Sequence, residues 1–285
     1  MRSTAGATAM TAPTSIHHVA VGDTRLAVHT AGSGLPLLLL HGFPLDHAMW
    51  SGQEPLADHV RLVVPDQRGF GASTGPGPAS IEQLADDAAA LLDALHCGPA
   101  VACGLSMGGY VAQHLAVRHP GRVAAVVLAD TRLEADTPEA RAARVDLAAK
   151  VGRLGQRIVA DAMVPRLLAA SAEARAAAGR AEREAALHAA ILRQPVATIQ
   201  AALAALGARP DMTAAMSRVR VPTLLVVGAE DAITPPACME AALEAMPHAR
   251  LFVVPGAGHM APLEAAAAFN RAVLEFLAEA QVGPA

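Results

Sequence analysis

Aromatic side chains are scarce in this sequence of 285 residues, which has one Trp, one Tyr and five Phe. Between Arg132 and Met216 there is none, so a pocket wall built from that stretch is aliphatic or polar and cannot stack on a polyaromatic ligand. Cysteine is also rare. Cys97, Cys103 and Cys238 are odd in number and lack CxxC spacing, which excludes a disulfide framework and a thiolate metal centre and fits a reducing cytoplasm. Hydrophobic residues reach 53%, but much of this is alanine, and no apolar run approaches the roughly 20 residues that span a bilayer. No membrane partner is therefore expected. Nor is there an excess of positive charge. With 22 basic against 26 acidic residues, there is no basic stripe to meet a phosphate backbone, and nucleic acid is excluded as a partner. The stretch from Met1 to Ser15 is rich in Ala, Thr and Ser without a basic or apolar region, and reads as a loose tail rather than a signal peptide.

What is present is a rhythm of short apolar runs. Ile16 to Val21 and Arg25 to Thr30 flank Gly22-Asp23-Thr24 and predict a hairpin. Leu35 to Leu40, Arg61 to Val64, Ala100 to Cys103, Val123 to Leu128, Thr223 to Val227 and Leu251 to Val254 are nearly continuous apolar runs bounded by Gly, Pro or Asp. Such runs suit strands buried on both faces, and helical stretches between several of them imply parallel strands joined by crossover helices. The expected fold is therefore α/β, with a mostly parallel central sheet of about eight strands flanked by helices. Ser80 and Gln83 form a capping box ahead of one such helix.

From Arg132 to Met216 the strand signals stop. Leu, Val and Met recur there at helical spacing among Ala, Arg and Glu, and Thr137, Pro138 and Glu139 mark a helix start. This predicts a helical cap over residues 132–216, inserted into a core formed by residues 16–131 and 217–285. An insertion of that length carries function more often than it merely connects.

The chemistry is carried by Gly104-Leu105-Ser106-Met107-Gly108, a G-x-S-x-G pentapeptide that follows an apolar run and opens a helix. It nominates Ser106 as a nucleophile, with glycines keeping a sharp turn free of Cβ clashes. A serine hydroxyl needs a base, and the base needs an orienting carboxylate. Asp231 follows the Thr223 to Val227 strand and His259 follows the Leu251 to Val254 strand, which puts both at the C-terminal edge of a parallel sheet beside Ser106. His41-Gly42-Phe43-Pro44 follows another strand at that edge. The backbone N–H groups of Phe43 and Met107 are assigned to an oxyanion hole.

HGFP at 41 to 44, DQRGFG at 66 to 71, GLSMGG at 104 to 109, GAED at 228 to 231 and GAGH at 256 to 259 together resemble the α/β-hydrolase superfamily, over residues 16 to about 280. The order Ser, Asp, His is that of the superfamily. Haloalkane dehalogenases and epoxide hydrolases of this superfamily carry aspartate at the elbow, so Ser106 argues against both. The GLSMGG elbow, the run from Gly228 to Pro236, and Asn270 eleven residues after His259 resemble 3-oxoadipate enol-lactonases and related esterases. Similar elbows occur in cofactor-free perhydrolases (haloperoxidases) and in C–C bond hydrolases, and both reactions stay open as alternatives. A noncatalytic hydrolase-fold binding protein is the remote one.

The resemblance implies a serine hydrolase that cleaves a carboxylic ester or lactone of a small, mainly aliphatic substrate through an acyl-enzyme, with no metal and no organic cofactor. A cytoplasmic location is expected, and a homodimer is left open. Phe43, Met107 and Trp50 are candidate pocket walls, with core packing the competing role for Trp50. His41 reads as a support for the oxyanion loop, because His41, Asp46 and His47 miss the HxHxDH metal spacing. Asp66 and Arg68 read as buried ion-pair or turn residues. Asp130, which also ends a strand, is the alternative acid.

Overall fold

The computed structural model describes residues 15–283, so the N-terminal tail expected from Met1 lies outside the described residues except for Ser15. Ser15 opens β1 (Ser15–Val21), which forms a hairpin with β2 (Thr24–Ala31) through a turn where Gly22 has φ 56°. The register runs from Ser15 opposite Thr30 to Val21 opposite Thr24. Six further strands follow, β3 (Pro36–Leu40), β4 (Arg61–Pro65), β5 (Ala100–Leu105), β6 (Val123–Ala129), β7 (Thr223–Gly228) and β8 (Arg250–Val254). They make one eight-stranded sheet in the order β1-β2-β4-β3-β5-β6-β7-β8. Only the β1–β2 and β2–β4 pairings are antiparallel.

Burial explains the apolar runs. Every residue of β3, β5 and β7 is buried, because helices cover both faces and no alternation with polar residues is allowed. A fully buried leucine such as Leu37, Leu38 or Leu39 contributes about 1.5–3 kcal/mol relative to an exposed one. Edge strand β8, by contrast, is mostly accessible.

The registers also align the strand ends. Leu40 pairs with Gly104, Leu105 with Ala129, and Gly228 with Val254. The loops that carry His41 to Phe43, Ser106, Asp130, Asp231 and His259 consequently leave one edge of the sheet.

Helices α1 (Ile81–Ala94) and α2 (Met107–Arg118) pack against one another and cover part of the sheet. Ser80 caps α1 by accepting from Gln83 N at 3.1 Å, while Gln83 Oε1 accepts from Ala79 N at 2.8 Å. Between β6 and β7 the chain forms α3 (Pro138–Leu154), α4 (Arg157–Leu167), α5 (Ala172–Ala176), α6 (Arg180–Arg193), α7 (Val196–Ala208) and α8 (Thr213–Met216). Thr137 caps α3, accepting from Ala140 N at 3.2 Å, with Pro138 at its first position.

Polar contacts tie these helices to the core. Asp46 accepts from Arg193 Nη2 at 2.8 Å and Gln194 Nε2 at 3.1 Å, and Thr198 donates to Gly69 O at 3.0 Å. After β7 come α9 (Pro236–Ala245), α10 (Ala261–Glu264) and α11 (Ala266–Glu279). Among the described residues no single helix is long and apolar enough to cross a membrane; α6 and α7 would be so only together, and they meet at 97°.

Candidate active site

Ser106 stands at the turn from β5 into α2 with φ 53° and ψ −111°, a region that a residue with a Cβ occupies only under strain. The turn is held on both sides. Ser106 N donates to Ala129 O at 2.9 Å, and Ser106 O accepts from Thr131 Oγ1 at 2.9 Å. A Cβ on Gly104 would lie 2.0 Å from Gly108 O, and one on Gly108 would lie 2.0 Å from Leu40 O. Both glycines of the pentapeptide are therefore required by close backbone approach.

His259 and Asp231 are paired at the same sheet edge, with His259 Nδ1 2.8 Å from Asp231 Oδ2. The pair is almost wholly buried, at 2% and 3% exposure. Asp231 is saturated by four donors. Oδ1 accepts from Ile233 N at 2.7 Å and Thr234 N at 2.9 Å, and Oδ2 from Thr234 Oγ1 at 2.7 Å and from the imidazole. Burial pushes its carboxyl up, but the His259 and Thr234 contacts outweigh this and hold it below its ordinary value. A carboxylate at Nδ1 fixes the proton there and leaves Nε2 as the acceptor.

The loop after β3 supplies the remaining part. His41 is fully buried; its Nε2 accepts from Gln67 N at 3.0 Å, and its Nδ1 lies 3.1 Å from Gly42 O. Burial lowers its pKa, so the ring is a neutral brace. Gly42 N donates to Met49 Sδ at 3.3 Å, and Leu45 N to Gly42 O at 2.9 Å. Neither Phe43 N nor Met107 N donates to a protein acceptor among the described residues, and Met107 N is the first amide of α2, where the helix dipole favours negative charge.

Ser106, His259, Phe43 and Met107 line a single cavity of about 380 Å³. Its far wall comes from α3, α4 and α7 through residues such as Leu147, Met163 and Leu206. Asp130 does not reach the imidazole. Its carboxyl accepts from Gly228 N at 2.8 Å and Ala261 N at 3.3 Å, and burial, followed by the charge of Asp231, raises its pKa well above the ordinary value.

The family model described as alpha/beta hydrolase fold matches residues 36–266. This chain belongs to that family. The α/β-hydrolase superposes on an esterase from Thermogutta terrifontis, solved with malate bound, with a TM-score of 0.87 and 39% identity over 93% of this chain and 99% of the other. The enol-lactonase of Burkholderia xenovorans LB400 gives a TM-score of 0.84 at 30% identity, covering 92% of this chain and all of that one, 100%. In sequence, 3-oxoadipate enol-lactonase 2 of Acinetobacter baylyi is 39% identical over 107 residues, which is 37% of this chain and 40% of the relative. The 2-hydroxymuconate semialdehyde hydrolase of Pseudomonas sp. strain CF600 matches over a similar 39% of its length. The chain thus matches only about two fifths of these curated relatives.

One expectation needs correction in this α/β-hydrolase. Trp50 does not line the cavity: it is 2% exposed, with its ring centroid 6.1 Å from that of Phe269, because the 3₁₀ segment His47–Asp58 turns its apolar side onto α11. The cavity is polar as well as aliphatic. Arg132, Arg144, Arg166 and Asp136 line it. Asp136 is bound by Arg144 and Arg209, Arg132 donates to Ile233 O, and Arg166 has no protein partner among the described residues. Periodicity could not single out Arg144 and Arg166, because α3 and α4 carry several arginines and only packing decides which face turns inward. Thr234 was missed for a similar reason, since its role depends on the turn made by residues 231–234.

The bystander residues behave as structure. Arg68 makes a two-pronged contact with Asp87 at 2.7 and 2.8 Å and also reaches Asp23. Asp66 accepts from His47 N, His47 Nδ1 and Ala72 N. Asn270 links Gln53 to Gly52 O. The donors of His29, His47 and Asp66 all lie within 4.8 Å of one another, but the two imidazoles are stacked at 3.6 Å and 20°. Lone pairs in nearly parallel planes cannot converge on one ion at ~2.0 Å, so this arrangement does not fit a metal site.

Proposed function

We propose that this α/β-hydrolase is a serine esterase or lactonase whose substrate is compact and carries a carboxylate. The observation that carries the reading is the joint placement of Ser106 and His259 on one cavity, with His259 oriented by a buried Asp231. Ester and lactone hydrolases among the relatives support it.

In this reading Ser106 Oγ attacks the ester carbonyl while His259 Nε2 takes its proton. The oxyanion is received by the N–H groups of Phe43 and Met107, and the carbonyl re-forms as the alkoxide leaves with the proton held by His259. Water then attacks the acyl-enzyme, again losing its proton to His259, and the acid and Ser106 are released. Asp231 stays ionised throughout and stabilises the imidazolium.

The carboxylate follows from the arginines. Three guanidinium groups against one carboxylate leave a net positive wall, and the unpartnered Arg166 can bind an anion in two-pronged fashion. The aliphatic lining of Leu147, Met163 and Leu206 suits the connecting chain.

The test pairs methyl hexanoate with monomethyl adipate, followed by pH-stat titration, for the wild type, Ser106→Ala and Arg166→Ala. The wild type is expected to turn over both, with the lower KM for the anionic ester. Ser106→Ala falls to background, and Arg166→Ala loses the preference. Turnover by Ser106→Ala would overturn the nucleophile, and equal KM values in the wild type would overturn the anion.

A further inference from the structure

Two carboxylates adjoining the proposed acid and base hold one short stretch of the helical segment by its backbone. Glu230, which precedes Asp231, accepts with Oε2 from Ala170 N at 3.0 Å and Ser171 N at 2.8 Å. Glu264 accepts with Oε2 from Ala169 N at 2.8 Å and with Oε1 from Gly258 N at 2.7 Å. Gly258 immediately precedes His259. The fit there is close, since a Cβ on Gly258 would lie 2.5 Å from Ala169 N.

The stretch 169–171 lies between the end of α4 at Leu167 and the start of α5 at Ala172, so its three N–H groups have no helical acceptor. A carboxylate acceptor gives these amides charge-assisted bonds, stronger than those to a neutral acceptor. Arg180 Nη1 adds a contact to Ala169 O at 2.6 Å. Immediately upstream, α4 presents Met163 and Arg166 to the cavity. The acid loop, the base loop and one cavity wall therefore meet at three residues.

We infer that Glu230 and Glu264 are positioning residues that seat α4 on the loops of Asp231 and His259, so that the cavity wall and the imidazole are set in place together. The inference rests on the serine-hydrolase reading above. The two glutamates differ in what they grip. Glu264 bonds the base loop and the helical stretch at once, so its loss disturbs both the imidazole and the wall. Glu230 bonds only the helical stretch through its side chain, so its loss moves the wall and leaves the imidazole seated. A staple that serves only stability would produce neither pattern.

The experiment measures kcat and KM for p-nitrophenyl acetate through decanoate with the wild type, Glu230→Ala, Glu264→Gln and Ser106→Ala, and Tm for each. Glu264→Gln is expected to lower kcat about tenfold on every ester and to move the chain-length optimum. Glu230→Ala is expected to move the optimum through KM, several-fold, with kcat within twofold. A fall in Tm for both variants, with kcat, KM and optimum as in the wild type, would overturn the inference while leaving the nucleophile intact. Turnover by Ser106→Ala would instead remove the reading beneath it, and the inference with it. Should either glutamate variant fail to fold, amide exchange in the wild type decides. Exchange at 169–171 is expected to slow when a phosphonate occupies Ser106, and exchange indifferent to that label overturns the coupling.

Discussion

Gly104 faces the carbonyl of Gly108 with no space between them, so that a Cβ on Gly104 would stand 2.0 Å from that oxygen. Neither atom belongs to a flexible side chain, so the contact cannot be relieved without opening the turn between β5 and α2. Gly104→Ala is accordingly expected to lower stability by about 3 kcal/mol or more. Gly121, where a Cβ meets nothing within 4 Å, is the control, and Gly121→Ala is expected within ~0.5 kcal/mol of the wild type. Urea unfolding of both variants checks this. Equal midpoints for the two would contradict the packing argument.

Ser106 has a second, opposing effect on stability. Its φ of 53° and ψ of −111° carry strain on the order of 1–3 kcal/mol, of which a glycine would be free at the expense of roughly 0.5–1 kcal/mol of added chain entropy. Ser106→Gly is therefore expected to be inactive yet more stable than the wild type, while Ser106→Ala is inactive without that gain. Calorimetry on the three proteins distinguishes them. A less stable glycine variant would mean that the turn is not strained.

Thr234 completes the acid. Its hydroxyl and amide both donate to Asp231, and together with His259 they hold that carboxyl below its ordinary value of 3.8 despite burial. For an acid whose folded pKa is depressed, the stabilisation is present above the unfolded value and disappears as pH falls through the folded one. Thr234→Val is expected to lose part of its acid resistance below about pH 4 and to lower kcat roughly tenfold. Asp231→Asn, which removes the ionised acceptor, is expected to lower kcat by about 10³–10⁴. Acid titrations of stability and kinetics near neutral pH test both. A threonine variant with unchanged acid stability would assign the depressed carboxyl to the imidazole alone.

The fold was legible because its signals are local. Doubly covered strands permit nothing but apolar runs, and the six parallel strands of the structure lie within a few residues of where those runs predict them. Ser106, Asp231 and His259 could be named because each follows such a strand, and parallel strands deliver their C-terminal loops to one edge. What failed depends on facing. Trp50 lies one loop away from the proposed oxyanion site, yet a 3₁₀ turn aims it at Phe269. Arg144 and Arg166 sit among other arginines of similar spacing, and the direction each takes is decided by how α3 and α4 settle over the sheet. Glu230 and Glu264 accept from the amides of residues 169–171, 59 to 95 residues away, contacts that no local pattern records.

Asp130 provides a test in the other direction of pH. Its carboxyl is fully buried behind the Asp231–His259 pair, and burial, followed by the charge of Asp231, holds its pKa well above 3.8. The folded protein therefore keeps a proton that the unfolded chain releases. Where the folded state binds more protons, stability falls as pH rises. The decline begins near pH 4 and continues up to the folded pKa, at no more than about 1.4 kcal/mol per pH unit. Asp130→Asn cannot ionise, and its amide oxygen can still accept from Gly228 N. The stability of the wild type relative to Asp130→Asn is consequently expected to diminish between pH 5 and pH 8. Denaturant unfolding of both proteins at those two values measures the gap. A gap that holds constant would mean that Asp130 is ionised in the fold, with the amides of Gly228 and Ala261 sufficient to carry its charge beside Asp231.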